Sequence, residues 1–438
     1  MARIRELSVG DGKRVRLMPR VGAVGWILCR HSIAALKDLL KTRRASSLAT
    51  RLRLVIEDLG PTFVKLGQVL STRPDILPDA LAAELALLQD HARVVPFLDI
   101  RRRVEAELAA PLEELYAYFE TEPLAQASIG QVHRAALMDG TEVIVKVRRP
   151  GVMATIDLDL RLLDRTARIA ERASRVARSY DAAGLARRFA ATLREECNYL
   201  IEGRNAEAIA LALRDSPQVY VPAIAWGYTS LGVLTEMRVE GVKIDDLEAL
   251  KALGVDRKMV AATFVDAYLT MVFGDGVFHA DPHPGNVFVD SDGCVGFVDF
   301  GMTGEVAPVT IRSLGGVLLA IVGTDAVIMA DALLSLGVAA PNLDRRRLEE
   351  DLGRLLSEYA HRPLDEMPVA EVLTKVMGIV RRHHLVLPPD LALLVKTVMM
   401  CEGVALQLDP GFLLVPRLLP FASRATYTET EGPQNQGG

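Results

Sequence analysis

The stretch that decides the fold is HADPHPGNVFVDSDGCVGFVDFG, residues 279–301. Asp281 and Asn286 lie five residues apart near its start. Two short apolar runs then flank the turn sequence Ser-Asp-Gly at 291–293 and predict a β-hairpin. Asp299 follows directly, within Asp-Phe-Gly. Acid, amide, hairpin and acid in this order form a far more specific pattern than any one of them alone.

These residue types suit phosphoryl transfer. That reaction needs a group that orients the attacking hydroxyl, and oxygen ligands that hold magnesium against the phosphates. The interval from Asp281 to Asn286 equals that between the base and the metal-binding Asn of the kinase H-R-D-x-x-x-x-N loop. We therefore predict Asp281 as a catalytic residue and Asn286 and Asp299 as metal ligands, with ATP or ADP and Mg as cofactors.

Two other interpretations of this stretch stay open. The Asp, Asn, Pro and Gly residues could be turn formers only. Alternatively, His279, Asp281 and His283 could present three metal ligands on one side of a strand. Pro282 and Pro284 disfavour a regular strand, and a zinc site would leave Asp-Phe-Gly unexplained.

A lysine upstream fits the same chemistry. Val-Ile-Val-Lys ends at Lys146, matches the kinase V-A-I-K pattern, and is predicted as a second catalytic residue that holds the α- and β-phosphates. It lies on the second strand of a predicted hairpin, 131–136 and 142–147, with a Met-Asp-Gly turn. Such a lysine needs a carboxylate partner on a helix. The helical segment predicted at about 183–209 offers three candidates: Glu195, Glu196 and Glu202.

The loop before the first hairpin strand is predicted to bind nucleotide. Kinases are normally glycine-rich here, so that backbone N–H groups can approach the phosphates closely. This chain has alanine at two of these positions, and a Cβ restricts that approach. The predicted nucleotide-binding residues of this loop are Leu124, Ala125, Gln126, Ala127, Ser128, Ile129, Gly130, Gln131 and Val132.

Composition narrows the protein class. The 438 residues are 50% hydrophobic and include four cysteines without a C-x-x-C pair, which argues against a disordered chain, a disulfide framework and a zinc ribbon. The net charge of -5 is uneven, because residues 1–53 carry 13 Lys and Arg against three acidic residues. We expect this basic arm either to contact an anionic membrane surface or a partner, or to dock on the acidic body; no nucleic acid partner is expected.

The hydropathy of the chain is high but interrupted by charged residues. The mean hydropathy is +0.21, yet no uninterrupted apolar run reaches the length of about 20 residues that a span needs. The first residues do not follow the signal-peptide pattern. We therefore expect a cytoplasmic protein, peripheral at the inner face of a membrane, with no transmembrane span.

Taken together, these motifs resemble the UbiB family of atypical protein-kinase-like proteins, also called the AarF family. The resemblance runs in motif order from about residue 55 to about residue 310. It includes Lys65-Leu-Gly-Gln68, which is the family's K-x-G-Q signature, within GPTFVKLGQVLSTRP at 60–74. The four-residue signature is weak alone and diagnostic with its flanking segment.

The resemblance implies roles for four further side chains. The K-x-G-Q helix would fold over the nucleotide cleft, with Gln68 and Lys65 as regulatory residues. Lys65 would pair with Glu196 of the family's acidic E-x-D motif. Glu202 would be the helix partner of Lys146.

Two segments depart from the family pattern. The E-x-D motif reads Glu-Cys-Asn here, so Asn198 lacks one negative charge. The hinge reads Thr-Glu-Met-Arg-Val at 235–239 where the family commonly has T-M-E, and backbone groups near Met237 and Val239 are expected to bind adenine. Many members also carry C-terminal membrane helices, which we do not expect here.

The resemblance, and the change from strand-rich to helix-rich segments, imply an α+β, bilobal protein-kinase-like fold. A small β-containing N-lobe and a mostly helical C-lobe would follow a helical extension that carries K-x-G-Q. The predicted boundaries are 1–95 for the arm and extension, 96–238 for the N-lobe with a helical insertion, 239–425 for the C-lobe, and 426–438 for a disordered tail.

The implied function is a kinase or ATPase that binds Mg-ATP and supports ubiquinone or related isoprenoid-lipid biosynthesis. Its partners would be lipids or proteins of that pathway. A nucleotide-switched pseudokinase-like scaffold is the alternative. A small-molecule phosphotransferase of the aminoglycoside or choline type also uses a D-x-x-x-x-N loop, but those families lack K-x-G-Q.

Overall fold

The computed structural model describes residues 20, 22–27, 30, 48–71, 77, 79–88, 94–179, 181–337, 343–360, 363, 366–385 and 387–427. The chain forms two compact units. The first consists of Met1–Ser71, Ala83–Leu200 and Ala225–Glu236, and the second of Thr72–Ala82, Ile201–Ile224 and Met237–Gly438. The predicted domain boundaries stay predictions, and the predicted tail lies outside the described residues from 428 onward.

The first unit combines helices with a small sheet. Its helices are α1 (Leu48–Leu59), α2 (Pro61–Ser71), α4 (Phe97–Leu108), α5 (Leu112–Leu115), α6 (Val152–Ala173), α7 (Arg175–Ser179) and α8 (Ala182–Glu196). Helix α3 (Asp79–Ala86) contributes residues to each unit. The strands are β1 (Tyr116–Phe119), β2 (Ala125–Gln126), β3 (Gly130–Leu137), β4 (Glu142–Arg148) and β6 (Val233–Met237), of which the last ends in the second unit.

The predicted hairpin is the centre of this sheet. The strand order is β1-β3-β4-β6, with β2 beside β3. Strands β3 and β4 pair antiparallel, with Lys146 opposite Val132. In the turn, Gly140 has a φ of +87°, and the N–H of Thr141 donates to a carboxylate oxygen of Asp139 at 2.9 Å. The Asp-Gly sequence therefore forms the turn by the chemistry that predicted it.

The single helix predicted at about 183–209 is two helices. Helix α8 ends at Glu196, and α9 (Tyr199–Ala212) begins three residues later. The side-chain oxygen of Asn198 accepts from the N–H of Leu200 at 3.1 Å, which satisfies a donor that a new helix start leaves open. The prediction was wrong because helical periodicity continues through this cap.

A compact apolar cluster lies beside the phosphate-loop sequence. Ile129 is buried there against residues of α6 and α8, including Ile156 and Leu193. Leu66 and Val69 of the K-x-G-Q helix α2 pack on the same cluster. The K-x-G-Q helix and the loop are therefore parts of one hydrophobic core.

The second unit is mostly helical. Its helices are α9, whose first two residues belong to the first unit, α10 (Leu247–Leu253), α11 (Arg257–Phe273), α12 (Pro308–Gly323), α13 (Ala326–Leu336), α14 (Arg345–Tyr359), α15 (Val369–Arg382), α16 (Pro389–Leu408) and α17 (Leu414–Tyr427). Its strands are β5 (Val219–Tyr220), β7 (Val242–Lys243), β8 (Val277–His279), β9 (Val287–Val289), β10 (Val295–Phe297) and β11 (Thr303–Glu305).

Helix α11 forms the centre of this unit, and ten of its residues are buried. The hairpin β9–β10 lies in a four-stranded sheet of order β5-β10-β9-β7, and β8 pairs antiparallel with β11. Phe278, Phe297 and Phe300 are fully buried in this core. The motif stretch 279–301 is thus anchored at both ends by buried aromatic residues.

Among the described residues, one helix qualifies as a candidate membrane span by length and composition. It is α16, and a little over half of its most apolar window, 56%, is buried inside the structure. The sequence criterion was an uninterrupted apolar run, which α16 does not meet because it contains Asp390, Lys396 and Glu402. The expected absence of a transmembrane span stays a prediction. In the structure α16 packs on α11 as a core helix.

Candidate active site

Asp281 and Asn286 lie side by side in the loop after β8. The side-chain amide nitrogen of Asn286 donates to a carboxylate oxygen of Asp281 at 3.1 Å and to its backbone oxygen at 3.3 Å. A short 3₁₀ turn, Pro284–Asn286, brings the two together, and His283 caps it by accepting from the N–H of Gly285. The five-residue interval therefore places acid and amide in contact.

His279 is fully buried and connects this loop to Asp299. Its Nδ1 accepts from the N–H of Asp281 at 3.2 Å, so Nε2 carries the proton and donates to the backbone oxygen of Asp299 at 2.9 Å. Burial lowers the pKa of the His279 imidazole, although neighbouring Asp281 opposes this. The neutral ring that results is the form both hydrogen bonds require.

Asp299 has a left-handed backbone, with a φ of +64°. Non-glycine residues rarely adopt this conformation, although Asp tolerates it better than most. The next residue, Phe300, is fully buried and packs edge-on against the His279 ring. Asn205 of α9 donates to the Phe300 backbone oxygen at 3.0 Å, a contact that the sequence analysis missed. This anchoring leaves the Asp299 side chain exposed while its backbone is fixed.

The alternative metal cluster of His279, Asp281 and His283 is not supported. Within the described residues, no group of three or more His, Cys, Asp or Glu side chains is arranged to hold a metal ion. Both nitrogens of His279 are engaged by backbone groups, as described above. His283 uses its Nδ1 to cap the 3₁₀ turn.

Lys146 is largely buried on β4, and its ammonium lies 3.6 Å from a carboxylate oxygen of Glu236. Glu236 lies on β6, next to β4 in the sheet, and is itself buried. The sequence analysis did not single out Glu236. Its signal was a charged residue within a strand whose other side chains are uncharged.

Glu202, the predicted partner of Lys146, lies in the first turn of α9 and is buried in the second unit. Lys146 belongs to the first unit. The proposed Lys146–Glu202 pair stays a prediction. Glu195 and Glu196 end the preceding helix, α8.

The predicted phosphate loop is closed by its own hydrogen bonds. The N–H of Leu124 donates to the Val132 oxygen at 2.8 Å, and that of Ala127 donates to the Gly130 oxygen at 2.9 Å. Arg149 donates through Nε to the Ala127 oxygen at 2.9 Å. The Ala127 amide is thus already engaged, whereas phosphate recognition by a loop relies on available amides.

The loop side chains divide into an exposed and a buried set. Leu124, Ala125 and Gln126 are exposed, whereas Ala127 and Val132 are half-buried. Ser128, Ile129, Gly130 and Gln131 are buried. Buried side chains here serve the fold, and two of them show how.

Gly130 is required by a neighbouring side chain. A Cβ added there would lie 2.3 Å from the Tyr199 hydroxyl and 3.0 Å from the Val147 backbone oxygen. Gln131 is fully buried, and its side-chain amide bonds both the N–H and the backbone oxygen of Val95. Packing within the first unit therefore accounts for these two residue types independently of any phosphate.

The K-x-G-Q residues contact two neighbours, Glu196 and Leu88. Lys65 forms an ion pair with Glu196, and both side chains are about four-fifths buried, at 20% and 17% exposure. At Gly67, a Cβ would lie 2.3 Å from the side chain of Leu88. Gln68 donates to the Leu88 backbone oxygen at 3.4 Å. The motif thus joins α2 to the end of α8 and to the residues after α3.

The expected adenine-binding backbone is partly occupied. The N–H of Met237 donates to the Ala223 oxygen at 2.9 Å. Val239 is half-buried and lies beyond the end of β6. The Met237 amide would have to release Ala223 before it could donate to a base.

Parts of the basic arm contact the acidic body. Arg20 forms a two-pronged pair with the fully buried Asp159 of α6, at 2.6 and 2.8 Å, and also donates to the Leu59 oxygen. Arg30 pairs with Asp58, and Arg53 pairs with Glu57 and Glu84. Residues 1–19 and 31–47 lie outside the described residues.

Comparison with known proteins identifies two family domains. Residues 87–333 match the ABC1 atypical kinase-like domain, and residues 352–413 match the UbiB helical domain. The chain is 40% identical over 379 residues to a "Probable protein kinase UbiB" of Xanthomonas campestris, covering 84% of this chain and 68% of that protein. It is 38% identical over 372 residues to another of the same name from Xylella fastidiosa, covering 83% and 67%. The chain spans about two thirds of the length of these relatives.

Among solved structures, the chain is similar to one described as the complex of Rv3197 with erythromycin from Mycobacterium tuberculosis. The TM-score is 0.58 at 22% identity, and the match covers 86% of this chain and 95% of that one. A likeness at this identity concerns the fold. With the family domains, it confirms the predicted α+β kinase-like fold.

Proposed function

The chain belongs to the UbiB family of atypical kinase-like proteins, as its motifs predicted, and on that premise we propose that it binds Mg-ATP and acts as a phosphotransferase or ATPase. The observation that carries the proposal is the contact of Asp281 with Asn286, and the link through His279 to Asp299. A loop of turn formers alone would not need a buried histidine joining two acidic residues.

Asp281 is proposed to accept the proton of the attacking hydroxyl or water. Its carboxylate is oriented by the side-chain amide of Asn286, and its backbone by the neutral His279. Proton acceptance by a fixed carboxylate is the part that such a residue plays in kinases. Asp281 is half-buried, which is compatible with access of a substrate hydroxyl.

Asn286 and Asp299 fit a magnesium site by their chemistry. Because the Asn286 nitrogen donates to Asp281, its oxygen is oriented elsewhere and remains as an oxygen ligand. Asp299 adds an exposed carboxylate, and such hard oxygen ligands are those that magnesium prefers. Magnesium would supply charge neutralisation at the β- and γ-phosphates.

Lys146 is proposed to bind the α- and β-phosphates. Its ion pair with Glu236 at 3.6 Å holds the ammonium beside a buried carboxylate in the first unit. The role of Glu202 as a further partner is part of the same proposal. Leu124–Val132, Met237 and Val239 are proposed to bind the remainder of the nucleotide.

The metabolic role is proposed on family grounds. Relatives of this chain bear the name "Probable protein kinase UbiB", and we propose support of ubiquinone or related isoprenoid-lipid biosynthesis at a membrane surface. The basic arm is the proposed membrane contact, in which each Lys or Arg near an anionic surface contributes about 1 kcal/mol. The ion pairs of Arg20, Arg30 and Arg53 favour the competing account, docking on the body, for those three residues.

An ATP hydrolysis assay tests the proposed activity. It compares the full chain with and without anionic liposomes and a phenolic quinone-precursor mimic. Asp281→Asn should abolish turnover, whereas Asp292→Asn, the same charge change in the exposed turn of the β9–β10 hairpin, should leave it intact. Equal turnover in wild type and Asp281→Asn would exclude Asp281 as the catalytic residue.

Removal of residues 1–19 should reduce liposome binding in a salt-sensitive way if the arm contacts lipid.

One observation favours the alternative, a nucleotide-switched scaffold. The Ala127 and Met237 amides, which would otherwise be available to a nucleotide, are bonded within the protein. Such a site could bind and release nucleotide with slow turnover. Ala127→Gly should then raise ATP affinity, because it removes a Cβ from the loop. Ala136→Gly, on strand β3 that follows the loop, is the matched control. Tight nucleotide binding without turnover in any variant would favour the scaffold.

A further inference from the structure

Three consecutive backbone oxygens at the Asp299 turn are held by side chains. Nε2 of His279 lies 3.2 Å from the Val298 oxygen and 2.9 Å from the Asp299 oxygen. Asn205 of α9 donates from its side-chain nitrogen to the Phe300 oxygen at 3.0 Å. His279 therefore fixes the two peptide groups on either side of Asp299. Asn205 holds the next peptide group, the one that follows Phe300.

The peptide group that joins Phe300 to Gly301 also contacts the Asp299 side chain. Its N–H belongs to Gly301 and donates to Oδ1 of Asp299 at 3.4 Å. This distance is long for an N–H···O bond, so a small tilt of the peptide plane would break it. Because peptide groups are planar, the direction of the carbonyl determines the direction of the N–H. The contact of Asn205 with the carbonyl oxygen therefore sets the direction of the N–H that meets Asp299.

The two hydrogen bonds of this peptide group also strengthen each other. A carbonyl that accepts a hydrogen bond polarises its peptide group and makes the N–H on the opposite side a better donor. The Asn205 donor on the Phe300 oxygen thus favours the bond from Gly301 to the charged Asp299. Loss of that donor should weaken the contact with Asp299 through both direction and polarisation.

Helix α9 gives Asn205 a rigid support. Ala206 and Ile209 of this helix are buried in the same apolar core as Phe300. Asn205 is half-buried and lies in the interior of the helix. Asparagine is a poor residue for a helix interior, because its short polar side chain favours hydrogen bonds in other conformations. Here the side chain bonds a backbone oxygen ninety-five residues away, a contact that an apolar helix former could not make.

We propose that Asn205 is a positioning residue for the Asp299 carboxylate, and that it acts through the peptide group between Phe300 and Gly301. The role of Asp299 as a magnesium ligand rests on the proposed function, whereas the orientation of the peptide group by Asn205 does not. A ligand that already points in one direction loses less conformational freedom when the metal binds. Without Asn205, the carboxylate would keep its charge and lose this direction.

A purely structural role of Asn205 would have a different consequence. If Asn205 only stabilised the fold, its loss would lower nucleotide affinity to a similar degree with and without metal. A positioning role predicts a selective loss, in which only the metal-dependent part of nucleotide binding falls. Binding measurements in the presence and absence of Mg²⁺ therefore separate the two roles.

The first experiment observes the peptide group itself, in the full chain without nucleotide or metal. The sequence contains only two Phe–Gly pairs, Phe273–Gly274 and Phe300–Gly301. Labelling Phe with ¹³C at the carbonyl carbon and Gly with ¹⁵N therefore leaves two amide resonances in a carbonyl-filtered NMR spectrum. The Gly274 amide donates to the Thr270 oxygen at the end of α11 and serves as the internal reference.

Two variants remove the donor in different ways. Asn205→Leu replaces the amide with an apolar side chain of similar size, and Asn205→Asp keeps the shape but puts an acceptor in place of the donor. In both, we expect the Gly301 amide proton to shift upfield, because its hydrogen bond to Asp299 weakens. The Gly274 resonance should stay in place. Ala210→Leu, at an exposed position of the same helix, is the matched control and should leave both resonances unchanged.

The second experiment measures nucleotide affinity by titration with and without Mg²⁺. Both Asn205 variants should lower the affinity in Mg²⁺ by about fivefold, the factor that one net hydrogen bond supplies. The metal-free affinity should change by less than about twofold, and Ala210→Leu should match wild type in both conditions. Thermal unfolding establishes that each variant is folded before it is titrated.

Two outcomes would overturn the proposal. One is a Gly301 resonance that stays in place in both Asn205 variants. The other is an equal loss of affinity with and without Mg²⁺, which would assign Asn205 to the fold alone. A wild-type chain whose nucleotide affinity does not respond to Mg²⁺ would instead contradict the proposed function. The NMR comparison would then still decide whether Asn205 orients the peptide group.

Discussion

His279 donates from Nε2 to the backbone oxygen of Asp299 at 2.9 Å, and Asp299 is the residue whose φ is +64°. A buried neutral imidazole thus holds a proposed metal ligand in a conformation that costs roughly 1–2 kcal/mol for most residues. The strain and the device that maintains it lie in contact, which is the arrangement expected where a side chain must be presented in one direction.

Substitutions at Asp299 should separate charge from backbone conformation. Asp299→Asn keeps a residue that tolerates positive φ, so we expect unfolding free energy within about 0.5 kcal/mol of wild type. Asp299→Ala should cost roughly 1 kcal/mol more. Both should lose magnesium-dependent nucleotide affinity by at least about tenfold, measured by titration with and without Mg²⁺. Unchanged affinity in Asp299→Asn would remove Asp299 from the metal site.

Stability should fall in mildly acidic solution because of two buried histidines. Burial lowers the pKa of His279, and also of His133, which donates from Nδ1 to the Glu120 oxygen. The stabilising effect of keeping each ring neutral is complete above the unfolded pKa of about 6.5 and is lost as pH falls through the folded value. We expect the free energy of denaturant unfolding to decrease below about pH 6.5. This decrease with falling pH should be smaller in His133→Gln and in His279→Gln.

The ion pair of Lys65 with Glu196 should be measurable by a double-mutant cycle. Both side chains are largely buried, so the coupling should exceed that of a surface pair and reach roughly 1–2 kcal/mol in urea unfolding. The cycle uses Lys65→Met and Glu196→Gln. Arg101 and Glu113, a more exposed pair, provide the comparison and should couple by less than about 0.5 kcal/mol. Equal coupling in the two cycles would show that the K-x-G-Q lysine contributes no more than a surface charge.

Alanine at Gly130 should destabilise the fold through a clash that a second substitution can remove. The new Cβ would lie 2.3 Å from the Tyr199 hydroxyl, and we expect a loss of roughly 2–3 kcal/mol in unfolding free energy. Adding Tyr199→Phe removes that oxygen and should recover part of the loss, the remainder being due to Val147. No recovery in the double variant would mean that the glycine is needed for another contact.

Arg20 should contribute to stability through its ion pair with the buried Asp159. Arg20→Ala leaves Asp159 buried and unmatched, which we expect to cost roughly 2–4 kcal/mol. The double variant with Asp159→Asn should be more stable than Arg20→Ala alone. Arg30→Ala, which removes an exposed pair, should cost less than about 1 kcal/mol. If Arg20→Ala costs no more than Arg30→Ala, this part of the arm does not dock on the body.

Secondary structure was predicted well where residues close together in the sequence determine it. The hairpin on either side of Asp139 and Gly140, and the strands 287–289 and 295–298, follow from turn residues and alternation within a few positions. Strands β1, β2, β7, β8 and β11 were missed because they are short and their pairing depends on distant partners. Within the motifs, the Asp281 to Asn286 interval translated directly into a contact.

Relations across long intervals could not be foreseen. Glu236 meets Lys146 only because β6 pairs beside β4, and nothing in the intervening ninety residues specifies that. Asn205 reaches the Phe300 backbone over a similar interval. The break after Glu196 was hidden because Asn198 caps a helix whose periodicity continues the one before it. These are the places where tertiary packing overrides what a window of residues can show.

The division of the chain into units has a consequence for how the protein can be taken apart. The backbone leaves the first unit after Ser71 and returns at Ala83, leaves it after Leu200 and returns at Ala225, and leaves it again after Glu236. A single cut at any position therefore leaves at least one unit without part of itself. Gene fusions, domain swaps between relatives and fragment complementation should therefore respect all five junctions together.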